Sequence, residues 1–206
     1  MPVGIFKYVF LAGLVAGWVI RLWFVAGGLR RRPERPGGAV DARRVPAEWL
    51  LLRLTAVGML GLPLIEVLTG WLDFADYRLP DWTGITFGVV GAAVFAFALW
   101  LLWRAHADLG RQWSVRLEIQ EGHALITEGV YRHVRHPMYA ACFLWAIAQL
   151  LLLHNWIAGP AFLAPFALLY LRRVPHEEQM LLDHFGEEYR AYAGRTGRLI
   201  PRVRRS

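Results

Sequence analysis

The sequence predicts an all-α integral membrane protein with about five transmembrane helices, and three observations predict it. Of its 206 residues, 56% are hydrophobic and only 19% are charged, against about 25% charged in an average soluble domain. Apolar runs long enough to cross a hydrocarbon layer of about 30 Å recur along the chain. Basic residues gather in alternate loops, the pattern that membrane insertion leaves behind. The formal charge of +7 therefore reads as basic loops facing anionic lipid. Nucleic acid is not an expected partner, because no soluble domain remains to bind it. Cys142 is the single cysteine, so internal disulfides and cysteine zinc knuckles are ruled out.

The first span is read over Ile5 to Ala26, interrupted by Lys7 and Arg21, and Gly27-Gly28 ends it. It is too long for a signal-peptide core and is expected to be retained. A polar linker over 27–47, rich in Arg, Pro and Gly, follows. Glu48 to Trp71 is the second span, carrying Gly58, Gly61 and Pro63, which membrane helices tolerate. Arg53 and Arg21 can snorkel to an interface. Glu66 lies deeper, and its simplest reading is a carboxylate near the far interface. An acidic turn with Asp73, Asp76 and Asp81 leads into the third span, Gly84 to Trp103, about 30 Å long at 1.5 Å per residue.

Residues 104–137 form a polar segment. Met138 to Leu153 and Trp156 to Leu171 are the fourth and fifth spans, an antiparallel hairpin (138–171) joined through His154-Asn155. Gly159, Pro160 and Pro165 predict a kink in the fifth. From His176 to Tyr192, Leu181, Leu182, Phe185, Tyr189 and Tyr192 recur at helical spacing, which predicts an amphipathic C-terminal helix on the membrane surface. The chain thus divides into an N-terminal membrane part, 1–103, and a C-terminal half, 104–206.

Lys and Arg counts orient the spans. The linker after the first span holds six arginines, the segment 104–137 five and the tail from Arg172 eight, whereas the loop after the second span has Arg78 alone. Five spans with the N-terminus outside and the C-terminus in the cytoplasm follow, as in a multi-pass protein of a bacterial inner membrane. Two polar blocks then share the cytoplasmic side: Gly129-Val-Tyr-Arg-His-Val-Arg-His-Pro-Met-Tyr139 and Arg172-Arg-Val-Pro-His-Glu-Glu178. Charged groups at the mouth of an apolar hairpin are costly to keep near lipid and point to a site. Taken alone, Arg173 and Glu177, four apart, are an interfacial ion pair worth under about 1 kcal/mol. His133 and His136 lack a carboxylate or cysteine to complete a metal set, so no metal is expected. No Gly-rich loop follows a strand-like run, which excludes a Rossmann-type methyltransferase.

The order of these elements carries more. Gly129-Val-Tyr-x-x-Val-Arg-His-Pro-Met-Tyr139, the hairpin, Arg173-x-x-x-Glu177-Glu178, Phe185-Gly-Glu-Glu-Tyr189-x-x-Tyr192 and Ile200-Pro201 occur in sequence. Over residues 104–203 the chain resembles the isoprenylcysteine carboxyl methyltransferase family and its bacterial and phospholipid N-methyltransferase relatives. The resemblance implies S-adenosylmethionine in a cytoplasm-facing pocket built by this half. It implies cofactor contacts from His123, Leu125, Ile126, Tyr131, His136, Pro137, Met138, Tyr139 and Glu177, and Arg173 at the methyl acceptor. Arg116 stands where the prenylcysteine enzymes tend to carry glutamine.

These residue types suit that chemistry. Tyrosine faces attract a sulfonium by about 1 kcal/mol. Glu177, with Glu178 beside it, can accept from an ammonium or from ribose hydroxyls, and Arg135 can pair with a carboxylate. Arg173 and Glu177 are the expected catalytic pair. The acceptor is expected to be a lipophilic small molecule or a prenylated chain, with a lipid amine or a small thiol as alternatives. Two other classes compete: an NADPH-dependent membrane sterol or enone reductase, and a scaffold without cofactor affinity.

Overall fold

The computed structural model describes residues 4–30, 39–42, 48–110, 118–120 and 124–202. Its elements are α1 (Ile5–Arg30), β1 (Ala39–Ala42), α2 (Glu48–Ala56), a π-turn (Val57–Gly61), α3 (Leu62–Thr69), α4 (Asp81–Leu109), β2 (Glu118–Gln120), α5 (Pro137–Leu153), α6 (Leu163–Phe185) and α7 (Glu187–Arg195). Beyond the helical architecture, β1 and β2 pair antiparallel with an irregularity between Ala39 and Asp41.

Three helices are long and apolar enough to cross a membrane, Ile5–Ala26, Glu48–Thr69 and Asp81–Leu109, and Pro137–Leu153 is a shorter apolar helix. Exposed aromatics mark two levels. Trp71, Phe74, Trp82 and Trp156 lie at one end, and Trp23, Trp49, Trp100 and Trp103 at the other. Such rings favour membrane–water interfaces. Trp82 and Trp103 are 21 residues apart on α4, about 31 Å, which matches the hydrocarbon thickness.

α4 and α5 form the most extensive helix pair, with α1 against both. Between helices in lipid, close van der Waals contact replaces the hydrophobic effect, so small residues matter. A Cβ on Gly17 would strike the Trp145 ring at 2.4 Å, and one on Gly58 would meet the Ala161 carbonyl oxygen at 2.1 Å.

Glu48 to Thr69 is one span with a π-turn at its centre, and Pro63 explains both the turn and its partner. Within the turn the Leu62 amide donates to Val57 O instead of Gly58 O. The residue that would next serve the Gly58 carbonyl in π geometry is Pro63, which has no N–H. Gln149 of α5, fully buried, donates to Gly58 O at 2.9 Å and to Ala158 O at 2.7 Å. One amide thereby satisfies two carbonyls where no water can.

Some boundaries differ from the sequence reading. α4 runs to Leu109, six residues past Trp103, because Arg104 pairs with Asp108 along its last turn at 2.6 Å and Gly110 (φ 54°) closes it. Residues 154–162, partly assigned above to the fifth span, are a turn. There the buried Asn155 Oδ1 accepts from Ile157 N and Ala158 N at 2.9 and 2.8 Å, so the helix starts only at Leu163. The amphipathic stretch is split between α6 and α7 by Gly186, whose φ of 54° favours glycine. Pro175 sits inside α6 without ending it.

Glu66 is fully buried at the far end. Lys7 reaches from α1 to pair with it and with Asp76 at 3.1 Å, and Asp73 lies 3.5 Å from the same ammonium. Asn155 donates to Asp76 Oδ1 at 2.8 Å and to Leu72 O at 2.7 Å. Removing one member of a buried pair strands the other charge. Lys7→Met is therefore expected to destabilise by about 3 kcal/mol, and adding Glu66→Gln should restore part of the loss. Thermal unfolding in detergent checks both; a double variant no more stable than Lys7→Met would refute the stranded-charge account.

Candidate active site

The site grows from two short pieces of local structure. Gly129, at φ 58°, opens a 3-10 turn, Gly129–Arg132, and a Cβ there would lie 2.1 Å from Asp108 Oδ2. Asp108 Oδ2 instead accepts from Val130 N at 2.9 Å, fixing the turn against the end of α4. Tyr131 is buried, its hydroxyl donates to Ala105 O at 3.3 Å, and its carbonyl accepts from the Tyr192 hydroxyl at 2.7 Å. Burial raises the pKa of Tyr131, and the charge of Glu177 adds to it, so this phenol stays protonated. Pro137 then starts α5 at a position where its missing N–H costs nothing.

Three of the residues read from sequence, Arg135, His136 and Tyr139, converge on two neighbouring carboxylates. Glu178 Oε1 accepts from Arg135 Nε at 3.0 Å and faces His136 Nε2 at 3.2 Å. Arg135 also donates to Ala193 O at 3.0 Å and to Thr196 O. Glu177 Oε2 accepts from the Tyr139 hydroxyl at 2.9 Å, and its Oε1 lies 3.9 Å from His136 Nδ1. Arg198, not singled out from sequence, forks onto Glu178 through Nε at 3.0 Å and Nη2 at 2.6 Å.

Because α6 continues through Pro175, Arg173 and Glu177 share one face of it, one turn apart. They do not spend their hydrogen bonds on each other. Arg173 Nη1 donates to Glu48 Oε1, in the first turn of α2, at 2.8 Å. Glu48 is 125 residues away in sequence and gives no local signal of its role.

Below the carboxylates the hairpin offers an aromatic wall. Tyr139 packs edge-on to Tyr170 at 5.6 Å between centroids, and Phe143 edge-on to Tyr170 at 5.3 Å and Phe166 at 5.0 Å. Such contacts favour aromatic rings and alkyl chains. Tyr139 thus belongs to both parts, its hydroxyl in the polar cluster and its ring in the apolar wall.

Leu125 and Ile126 are half-buried in the irregular stretch 124–127, Pro137 is buried and Met138 half-buried. His123 and Arg116 lie outside the described residues.

Glu178 has the most polarised environment. Burial pushes its pKa up, but hydrogen bonds from His136 and Arg198 and the charge of Arg135 outweigh burial and hold it at about 2, below the ordinary 4.5. A carboxyl depressed on folding contributes stability above its unfolded value, and that contribution is lost as pH falls from about 4.5 toward about 2. Glu178→Gln should therefore flatten the fall in Tm between about pH 5 and pH 3. An unchanged pH profile would show that Glu178 does not carry the effect.

Comparison with known proteins converges on one family. A model of the Isoprenylcysteine carboxyl methyltransferase (ICMT) family matches residues 89–183. A probable protein-S-isoprenylcysteine O-methyltransferase of Oryza sativa subsp. indica is 29% identical over 162 residues, 77% of this chain and 82% of that protein. Protein-S-isoprenylcysteine O-methyltransferase of Homo sapiens is 30% identical over 68% of this chain and 51% of its own length. The solved structure of a eukaryotic intramembrane Ras methyltransferase, isoprenylcysteine carboxyl methyltransferase, aligns at a TM-score of 0.50 and 25% identity, over 77% of this chain and 53% of that one. This chain spans about half the length of that protein. The matched segment takes in most of α4, the His-Pro corner, α5 and the Arg173–Glu178 face of α6; over it the chain is similar to the isoprenylcysteine carboxyl methyltransferase family, and its relatives support a membrane methyltransferase of that type.

Proposed function

We propose that this protein transfers a methyl group from S-adenosylmethionine to a carboxylate on a lipophilic, isoprenoid-type acceptor. The carrying observation is the Glu177–Tyr139 pair, which stands one helical turn from Arg173 at the head of the aromatic hairpin wall. The relatives' names supply the acceptor class, a prenylated cysteine.

The residues present fit the cofactor. Glu177 is a half-buried carboxylate able to accept from an ammonium or ribose hydroxyls, and the Tyr139 ring offers a face to a sulfonium. When bound, S-adenosylmethionine supplies an activated methyl group on a cationic sulfur. The protein's share is alignment, because displacement at carbon is in line and positioning supplies much of the rate. Arg173 would hold the acceptor carboxylate through a charge-assisted fork. That nucleophile is already anionic at neutral pH, so no side chain has to remove a proton from it. The aromatic wall would take the acceptor's alkyl chain and keep water from the reacting groups.

On this reading residues 104–206 form the catalytic half, its pocket opens to the cytoplasm, and the N-terminus lies outside. The first turns of α6 complete a fifth, short crossing. Alternating basic loops support this orientation, as does the six-arginine linker on the same side as the site. Calorimetric titration of detergent-solubilised protein with S-adenosylhomocysteine, run beside NADPH, tests the cofactor. Micromolar binding of the first alone is expected; binding of NADPH alone would move the protein to the reductases.

A further inference from the structure

Residues 196–202 include Ile200-Pro201 of the motif, but Thr196, Gly197 and Arg198 carry contacts that the motif does not account for. They leave α7 at Thr196, which is buried and donates through Oγ1 to Tyr192 O at 2.7 Å. The segment then lies beside the His-Pro corner. Arg135 N donates to Gly197 O at 2.8 Å and His136 N to Arg198 O at 3.0 Å, and Val134 and Gly197 form a parallel bridge. His136 caps α5 without a side-chain cap bond, so the segment accepts from an amide at a helix start that needs a partner. Gly197 has no room for a side chain, since a Cβ would sit 1.8 Å from Ile200 O. Leu199 packs on the core while Ile200 is 78% exposed.

Resting on the cofactor reading above, we propose that residues 196–202 are a strap over the cofactor side of the site, and that Arg198 is the positioning residue that latches it through Glu178. One carboxylate on α6 joins the strap to the His-Pro corner. It takes the Arg198 fork from the strap and Arg135 Nε from the corner, and it meets His136 Nε2 from the start of α5. His136 Nε2 faces Glu178 Oε1 at 3.2 Å while Nδ1 lies 3.9 Å from Glu177 Oε1. The latch therefore sets the orientation of the imidazole that borders the Glu177–Tyr139 pair. Arg198 is also the most open member of the group, its side chain 55% exposed against 14% for Glu178. An exposed fork is the part that water and salt reach first, so the strap opens from this side.

The geometry fixes the substitutions that test it. Lysine is a point charge and cannot reproduce a fork on two carboxylate oxygens. Arg198→Ala is expected to weaken S-adenosylhomocysteine binding about tenfold, mainly through faster dissociation, as loss of a partly exposed charge-assisted contact implies. Arg198→Lys should recover only part of this. Raising the salt concentration should speed dissociation from the wild type and leave Arg198→Ala nearly unchanged. That dependence separates a latch from a purely structural role, which would lower Tm without making the ligand's off-rate salt-sensitive.

The measurement is the S-adenosylhomocysteine dissociation rate at low and high salt, on full-length variants that elute as single species in detergent. Wild-type binding with an unaltered rate in Arg198→Ala and Arg198→Lys would overturn the latch and leave the cofactor reading intact. Absence of wild-type binding would overturn the cofactor reading and the strap's role with it.

Discussion

Replacing Arg173 by alanine is expected to lower kcat/KM for a carboxylate acceptor by about 10²-fold or more, while S-adenosylhomocysteine binds as tightly as before. The side chain is 13% exposed and held by Glu48 at 2.8 Å, so its guanidinium has a defined place before any acceptor arrives. That place is one helical turn from Glu177, beside the wall of Tyr139, Tyr170, Phe143 and Phe166. Losing the cation leaves an anionic acceptor without a positioning partner, and small misplacements in a displacement reaction cost rate steeply. Arg173→Lys should recover little, since an ammonium cannot fork onto a carboxylate. Methyl transfer to an N-acylated S-farnesyl cysteine, with binding measured on the same preparation, separates the two parameters. If Arg173→Ala removed cofactor affinity instead, its assignment to the acceptor would be wrong.

Glu177→Ala should act on the other parameter. Loss of a charged hydrogen-bonding partner for the cofactor corresponds to about 1.5–3 kcal/mol, or roughly 10- to 100-fold in S-adenosylhomocysteine affinity. Alanine also removes the acceptor of the Tyr139 hydroxyl. Glu177→Gln separates these effects, because a glutamine oxygen can still accept from Tyr139 while carrying no charge. If the charge dominates, glutamine will resemble alanine in affinity; if the Tyr139 bond dominates, it will resemble the wild type. Unchanged affinity in both variants would remove Glu177 from the cofactor site.

Pro175 shows where local reasoning reached its limit. A proline after Arg173 and Val174 ordinarily marks a helix boundary, and the i, i+4 pairing of Arg173 with Glu177 depended on the helix surviving it. It survives, since Val174 and Met180 are buried on either side and anchor both flanks. α6 starts later than its apolar run for the opposite reason. Trp156 to Phe162 reads as apolar and membrane-like, yet a single buried side chain, Asn155, ties its first amides into a turn. Glu66 shows a third kind of limit. A lone carboxylate in an apolar run reads as interfacial, and only folding shows that Lys7 meets it from another helix, 59 residues away in sequence.

By itself the sequence determined the membrane character and the two polar blocks, from which Arg135, His136, Tyr139, Glu177 and Glu178 come together. Those properties reside in composition, in the one-dimensional placement of charge and in a motif whose members are close together. His136, Tyr139, Glu177 and Glu178 come from two such blocks, which the connection through residues 154–162 brings back together. What each polar group is bonded to was decided only by the tertiary structure. Glu48 on Arg173 and Arg198 on Glu178 are contacts between distant or unmarked positions. Hydrogen bonding depends on distance and direction to within a few tenths of an ångström, and no periodicity or charge count carries that information. The packing of α6 against α2, and of the C-terminal strap against the His-Pro corner, creates it.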